Sequence, residues 1–471
     1  MRSLTLHEVV EALQGRALGD MPELCVRSVC TDSRAVEPES LFFAIRGEKF
    51  DGNDYVEQAL EAGAVAAVID NGDKLPAALL ESGRVIGVPD TVAALGRLAS
   101  WYRRTTAAQV IAVLGSNGKT TTKNLIGHVL SSRYKGRFAR ASFNNAIGVA
   151  LTLLSAEPND EFLVVEIGTN HPGEVASLAR MVRPDFAVVT SIAEEHLEGF
   201  GDIEGVAAEE FSFLPLMTGR SVVAISEQAV PFLPRRAAKS VRLLTYGFSA
   251  DAQLMASDPS VEGEFQSFAV NNRFPYRLRL LGRHNAANSL AAIAIAQCFR
   301  MEHNEIARAL ESAEPPPMRL ARRALTTMTL INDAYNANPG SMKAAFDALG
   351  DLEAAGYGRR ILILGDMREL GAAASRCHET VGREAGRSCA HTIVAVGAFA
   401  RHVADGAVQT AGTRKRIYSY PTLSALQRKL PDLLRPGDQI LLKASRGVGL
   451  ERIVPTIEAI DQAAAPDGSP I

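Results

Sequence analysis

Short, unbroken apolar runs alternate along the chain with segments whose apolar residues recur at helical spacing. From the start, MRSLTLHEVVEALQG reads as a short strand and an amphipathic helix. The runs SLFFAIRG (40–47), AVAAVID (64–70) and RVIGVPD (84–90) read as strands, with helices over 55–62 and 91–102. QVIAVL (109–114), EFLVVEIG (161–168), DFAVVTSI (185–192) and SVVAIS (221–226) continue the series, and GRHNAANSLAAIAIAQCF (282–299) reads as a loop leading into an alanine-rich core helix. LTTMTLINDAY (325–335), RRILILGDM (359–367), TIVAVG (392–397) and DQILLKAS (438–445) follow. Apolar runs without alternation fit strands covered on both faces, and strand–helix alternation predicts mostly parallel sheets with ligands at the strands' carboxyl ends.

ESAEPPPMRL (311–320) is the clearest linker, because consecutive prolines stiffen an extended chain. With 471 residues the length prior suggests about three domains. The expected fold is α/β: an N-terminal unit over 1–107, a central P-loop ATPase unit with a mostly parallel sheet over 108–314, and a Rossmann-like unit over 315–471. The tail DQAAAPDGSPI is expected to be disordered. A net charge of −3 gives no bulk attraction for nucleic acid. Five scattered cysteines read as reduced thiols, and no apolar run approaches the ~20 residues needed to span a bilayer. The expectation is a cytoplasmic monomer without nucleic-acid or membrane partners.

The candidate chemistry centres on GSNGKTTTK (115–123). Gly115 and Gly118 allow a tight turn whose amides face an anion, Lys119 adds a charge and Thr120 a hydroxyl for a metal. Ser116, Asn117 and Thr121 complete the phosphate loop, while Val113 stands where the full Walker pattern has glycine. Polar groups follow other strands: Glu166 to His171, then Glu194, Glu195 and His196, a set that as residues alone is as readily caps and surface as Mg²⁺ ligands. His284, Asn285 and Asn288 could face a base or cap their helix. Further clusters are Asp333 to Pro339, Gly365 to Gly371 and Lys443 to Gly447. TDSRAV (31–36) and GEKFDGNDY (47–55) read first as solvated loops and second as a binding rim around Ser33, Arg34 and Asp51-Gly52; Arg103 and Arg104 read as solvated.

Together these motifs resemble the ATP-dependent Mur ligases of peptidoglycan synthesis. The resemblance runs through TDSR, GEKFDG, GSNGKTTTK, SFNNAIG, EIGTNHPGEV, HLEGFG, GRHNAANSLAA, PMRL, NDAYNANPGSM, LGDMRELG and KASRGVGLE, in order. NDAYNANP with LGDMRELG looks like the dipeptide-adding branch, and the DNPR-type motif of the branch adding the third residue is absent. The resemblance implies joining of D-alanyl-D-alanine to UDP-N-acetylmuramoyl-tripeptide through an acyl phosphate, with ATP and Mg²⁺. It implies Lys119 on the β/γ-phosphates; Thr120, Glu166 and His196 serving metal; Asn288 and Asp333 on adenine and ribose; and Arg319, Tyr335 and Asn336 near the nucleotide. Asn145 would approach the reacting substrate end, Ser33 and Arg34 the uridine, and Lys443 and Ser445 the substrate on closure. Two departures stand out. The family's carbamylated lysine falls at Glu210, so that Glu210 or Glu209 would supply the anionic group directly, and Ala146 replaces a common glutamate. Another Mur-type or folylpolyglutamate synthase-like ligase, or a non-catalytic ATP-binding module, are the competing readings.

Overall fold

The computed structural model describes residues 1–139, 141–234, 236–352 and 358–464. Each of three α/β domains carries a mostly parallel sheet. In the first, the strands run in the order Arg16–Gly19, Ser82–Gly87, Ala66–Ile69, Ser40–Phe43 and Ser28–Cys30, parallel except for Arg16–Gly19.

The central sheet has seven strands, all parallel, in the order Leu254–Met255, Arg242–Gly247, Val222–Ser226, Phe186–Val189, Gln109–Leu114, Phe162–Glu166 and Gly136–Phe138. Its middle strand explains the unbroken apolar run. Val110, Ala112 and Leu114 enter one core with the helices Ala146–Leu154 and Glu174–Val182, while Ile111 and Val113 enter another with Lys119–Ser131 and Arg283–Cys298. After Gln109–Leu114 the chain builds one edge, then returns to build the other, so its carboxyl end lies where the strand order reverses.

The third sheet runs Ala321–Ala324, Thr329–Asp333, Gln439–Lys443, Arg360–Gly365, Thr392–Val396 and Arg416–Tyr420, with only the first strand antiparallel. Residues 315–317 form neither helix nor strand between His303–Glu311 and Ala321–Ala324. No helix of the described residues is long and apolar enough to cross a membrane.

Several expectations change. A three-stranded antiparallel sheet, Ser260–Glu262, Phe265–Val270 and Phe274–Leu278, was not anticipated. The helix Arg283–Cys298 already contains His284, Asn285 and Asn288, and none of them caps it. Arg103 is not solvated: its side chain is 11% exposed and donates to the carbonyls of Val182 (2.9 Å) and Arg183 (3.0 Å) and to Asp185 (2.8 Å). It thus satisfies the open end of Glu174–Val182 and, with the Tyr102 hydroxyl on Ala156 O (2.7 Å), ties the helix Thr91–Thr105 to the central domain. Of the tail, 461–463 belong to the helix Val454–Ala463, while 465–471 lie outside the described residues. Asp461 is buried and accepts from the amides of Thr326 (2.6 Å), Thr327 (2.8 Å) and Met328 (2.9 Å).

Candidate functional site

The strand Gln109–Leu114 turns through Gly115 (φ 110°) and Gly118 (φ 87°) into the helix Lys119–Ser131. Both glycines need the left-handed region, and both lack room: an added Cβ would lie 2.5 Å from Thr190 Oγ1 or from Asn288 Oδ1. The neighbouring strand end buttresses the loop. Ser116 N–H donates to Ser191 O (2.8 Å), Asn117 N–H to Ser191 Oγ (3.0 Å), and Ala193 N–H to Ser116 Oγ (2.9 Å). No side chain caps the helix, so its first amides and its dipole are available to an anion.

Lys119 is held inside this loop, its Nζ donating to Gly115 O (2.5 Å) and Ser116 O (3.3 Å) and lying 3.9 Å from Glu195 Oε1. Burial opposes its charge, but Glu195, Glu210 and Glu166 outweigh burial and raise its pKa. Glu210 is fully buried; its Oε2 accepts from Gly115 N–H at 2.7 Å, and its Oε1 has no partner. Burial pushes the carboxyl of Glu210 up, against the pull of Lys119. Burial also pushes Glu195 up to about 8. Glu209, next to Glu210, faces elsewhere: it accepts from the amides of Gly173 and Val175, each at 2.7 Å, at the start of Glu174–Val182. That leaves Glu210 as the candidate for the missing family carbamate.

Glu166 sits at the end of its strand. Its Oε1 accepts from Ser142 (2.5 Å), Thr120 (3.1 Å) and Asn144 (3.1 Å). Its Oε2 is buried without a hydrogen bond and lies 3.7 Å from Nζ of Lys123, which is also buried. A carboxylate with one oxygen on the Thr120 hydroxyl and the other without a hydrogen bond suits a hard cation. Among the described residues no three His, Cys, Asp or Glu side chains converge as a metal cage, which is compatible with Mg²⁺ that keeps waters and phosphate oxygens. His196 has left-handed backbone (φ 47°), and its Nδ1 lies 2.5 Å from Glu369 Oε2 of the third domain. Burial lowers the His196 pKa.

The third domain roofs the loop. Arg319 donates to Thr120 Oγ1 (2.9 Å) and stacks 4.2 Å over the Tyr335 ring. Asn338 donates to Asn117 Oδ1 (2.8 Å). Lys443, almost fully buried, bonds Asp333 (2.5 Å) and Asn336 O (3.1 Å) and so acts as a strut for Asp333. Between the domains lies a cleft of about 810 Å³. Gly118 to Thr121, Asn145, Glu166, His196, Asn288, Arg319, Asp333, Tyr335, Asn336 and Lys443 all line it. Asn145 also caps the helix Ala146–Leu154 through Gly148 N–H (2.9 Å). Ala146 lines the cleft as well, and nothing in the structure explains its replacement of glutamate. Ser445 borders a smaller adjoining cavity, its hydroxyl on Ala337 O (3.3 Å). Glu210 lines neither cavity and reaches the site through the Gly115 amide. Ser33 and Arg34 lie in the first domain, outside the cleft, with Arg34 paired to Asp32 (2.7 Å). Sequence reasoning placed Glu195 among candidate Mg²⁺ ligands and Asn338 and Glu369 in strand-end polar clusters without individual roles, and it gave no role to Lys123, Ser142 or Asn144.

A glycine-turn phosphate cradle at the switch point of a parallel sheet, roofed by a second parallel-sheet domain, defines a nucleotide-phosphate-binding α/β protein. Residues 113–296 match the Mur ligase middle domain, 318–446 the Mur ligase glutamate ligase domain and 26–103 the catalytic domain of the Mur ligase family. The chain belongs to the Mur ligase family. It is 36% identical to the UDP-N-acetylmuramoyl-tripeptide–D-alanyl-D-alanine ligase of Bacillus subtilis (strain 168), over 96% of this chain and 97% of that one. It is 32% identical to the ligase of that name from Escherichia coli (strain K12), over 97% and 99%. The crystal structure of MurF from Acinetobacter baumannii superposes with TM-score 0.87 at 27% identity, covering 98% of this chain and 99% of that chain.

Proposed function

We propose that this chain is an ADP-forming ligase that joins D-alanyl-D-alanine to UDP-N-acetylmuramoyl-tripeptide in peptidoglycan precursor synthesis, in the cytoplasm, driven by ATP with Mg²⁺. The end-to-end match to relatives of that name carries the choice of substrates. The uncapped phosphate loop facing an interdomain cleft supports the chemistry. In this reading residues 1–107 hold the UDP-sugar, 108–314 the nucleotide and 315–471 close the site.

A carboxylate is unreactive toward amines in water. In the first step the tripeptide's terminal carboxylate oxygen attacks the γ-phosphorus, giving an acyl phosphate and ADP. In the second the amine of D-alanyl-D-alanine attacks the acyl carbon, the amide forms, phosphate leaves and the amine loses a proton. The loop amides and Lys119 stabilise charge on the transferring group once Lys119 exchanges its loop carbonyls for phosphate oxygens. Mg²⁺, held by the Thr120 hydroxyl and the Glu166 carboxylate, would supply further charge neutralisation. Arg319 and Asn338 hold the third domain over the loop, which orients the reactants and excludes water that would hydrolyse the intermediate.

The test is ADP release with Mg-ATP and UDP-muramoyl tripeptide, with and without D-alanyl-D-alanine. One amide per ADP, requiring both substrates, is the expected result. Turnover with a single amino acid instead of the dipeptide would favour another ligase of the family, and nucleotide binding without turnover a non-catalytic module.

A further inference from the structure

One buried histidine lies outside the cleft. His378, on the helix Ala374–Arg387 of the third domain, has no solvent exposure. Its Nε2 accepts from the Met367 amide at 2.9 Å, and its Nδ1 lies 2.7 Å from Ala374 O. A carbonyl only accepts and an amide only donates, so Nδ1 carries the proton and the ring is neutral, in a single tautomer. Burial, which lowers its pKa, acts in the same direction. The ring stacks on Phe399 at 4.5 Å. The amides of Ala398 (2.8 Å) and Phe399 (3.0 Å) in turn donate to Asp366.

The loop after Arg360–Gly365 is therefore pinned at Asp366 and Met367. Beyond them, Arg368 braces the loop within the third domain, while Glu369 and Gly371 meet the central domain and add to the Arg319 and Asn338 contacts. Arg368 N–H donates to Ser445 Oγ (3.0 Å) and its guanidinium to Gly447 O (3.0 Å). Glu369, in left-handed backbone (φ 62°), reaches His196 at 2.5 Å. A Cβ on Gly371 would lie 3.4 Å from Glu198 Cβ. An apolar side chain would fill the space beside Phe399 equally well; what the imidazole adds is an acceptor for the Met367 amide.

We propose that His378 is a positioning residue for the ligase reaction: by holding the Met367 amide it sets the 366–371 loop so that Glu369 meets His196 and the third domain docks in register over the phosphate loop. The inference rests on the ligase reading and deepens it. His378 touches no reactant and acts through Glu369.

The test compares H378L, H378Q, E369Q and the double variant H378L/E369Q. The readouts are kcat and KM for ADP release, nucleotide affinity by calorimetry, melting temperature, and the radius of gyration with nucleotide bound by small-angle scattering. H378L is expected to lower kcat by about tenfold or more through misplacement alone, to leave nucleotide affinity unchanged and to enlarge the radius of gyration. H378Q, whose amide oxygen can accept from Met367 N–H, restores most of the rate. The double variant is no slower than the worse single variant, because both changes act through one contact. Wild-type kcat in H378L, no recovery in a folded H378Q, or multiplied losses in the double variant each overturn the proposal. If H378L does not fold, H378Q against the shorter H378N carries the test, with the higher kcat expected in H378Q and equal rates or the reverse order refuting the idea. Failure of the wild-type chain to release ADP would sink the ligase reading instead, and the scattering comparison would then decide whether His378 sets the docking.

Discussion

Glu210 offers the sharpest perturbation, because the resemblance to the Mur ligases implies a carbamylated lysine at its position. Its Oε2 accepts a 2.7 Å hydrogen bond from Gly115 N–H, and its side chain is one of three carboxylates acting on Lys119. A charge-assisted hydrogen bond of this kind contributes about 1.5–3 kcal/mol. At about 1.4 kcal/mol per tenfold, Glu210→Ala should lose roughly 10- to 100-fold in kcat/KM for ATP. Glu210→Gln keeps an acceptor for Gly115 and should lose less. Glu210→Lys removes the acceptor and adds a second cation near Lys119, so in buffer free of carbon dioxide it should be at least as slow as Glu210→Ala. Added bicarbonate should then revive Glu210→Lys in part, since a carbamate restores an anionic oxygen, while leaving the wild type unmoved. Glu209→Ala is the control: it uncaps Glu174–Val182 and should lower the melting temperature rather than the rate. The assay is coupled ADP release with both substrates, with and without bicarbonate. A wild type that needs bicarbonate, or Glu210→Ala at full rate, would refute the reasoning.

Glu195 has its pKa raised from 4.5 to about 8, so the folded state keeps a proton that the unfolded chain releases, and that stabilisation is lost as pH rises from 4.5 through about 8. Glu195→Gln does not titrate, so its melting temperature should gain on the wild type across that window; a difference independent of pH would contradict the assignment. Arg103→Ala leaves two helix-end carbonyls without a partner and should cost about 1–3 kcal/mol in denaturant unfolding, with KM values unchanged. Asp461→Asn weakens the bonds to 326–328 and should cost about 1.5–3 kcal/mol. Hydrogen bonds from Thr327 and Thr326 outweigh burial and hold Asp461 below the usual carboxylate range, so this stabilisation is lost as pH falls through the folded value and the two proteins should converge in acid.

How much of this was legible follows from where each signal lies. The inner strands of the three mostly parallel sheets could be read because they are covered on both faces, as Ile111 and Val113 on one side and Val110 and Ala112 on the other illustrate. The antiparallel sheet of 260–278 was missed because its strands are half exposed, with Pro275 and Arg277 on the outer face, so no apolar run marks them. Arg416–Tyr420, an edge strand without a fully buried residue, escaped for the same reason. Arg103 looked solvated because the carbonyls that hold it belong to a helix 80 residues further along.

The site divides in the same way. Its phosphate loop is contiguous in sequence and could be read directly, whereas Asn338 and Glu369 acquire meaning only when the third domain lies on the central one. Glu209 and Glu210 show the limit most clearly. Counting along the chain lands on Glu210 but does not show which of the two carboxylates faces the phosphate loop. On the helix Ile203–Glu210 consecutive side chains diverge by about 100°. One carboxylate therefore caps Glu174–Val182, and its neighbour meets the Gly115 amide behind the phosphate loop. The choice between them is made by helix geometry: Glu210 and not Glu209 faces the phosphate loop.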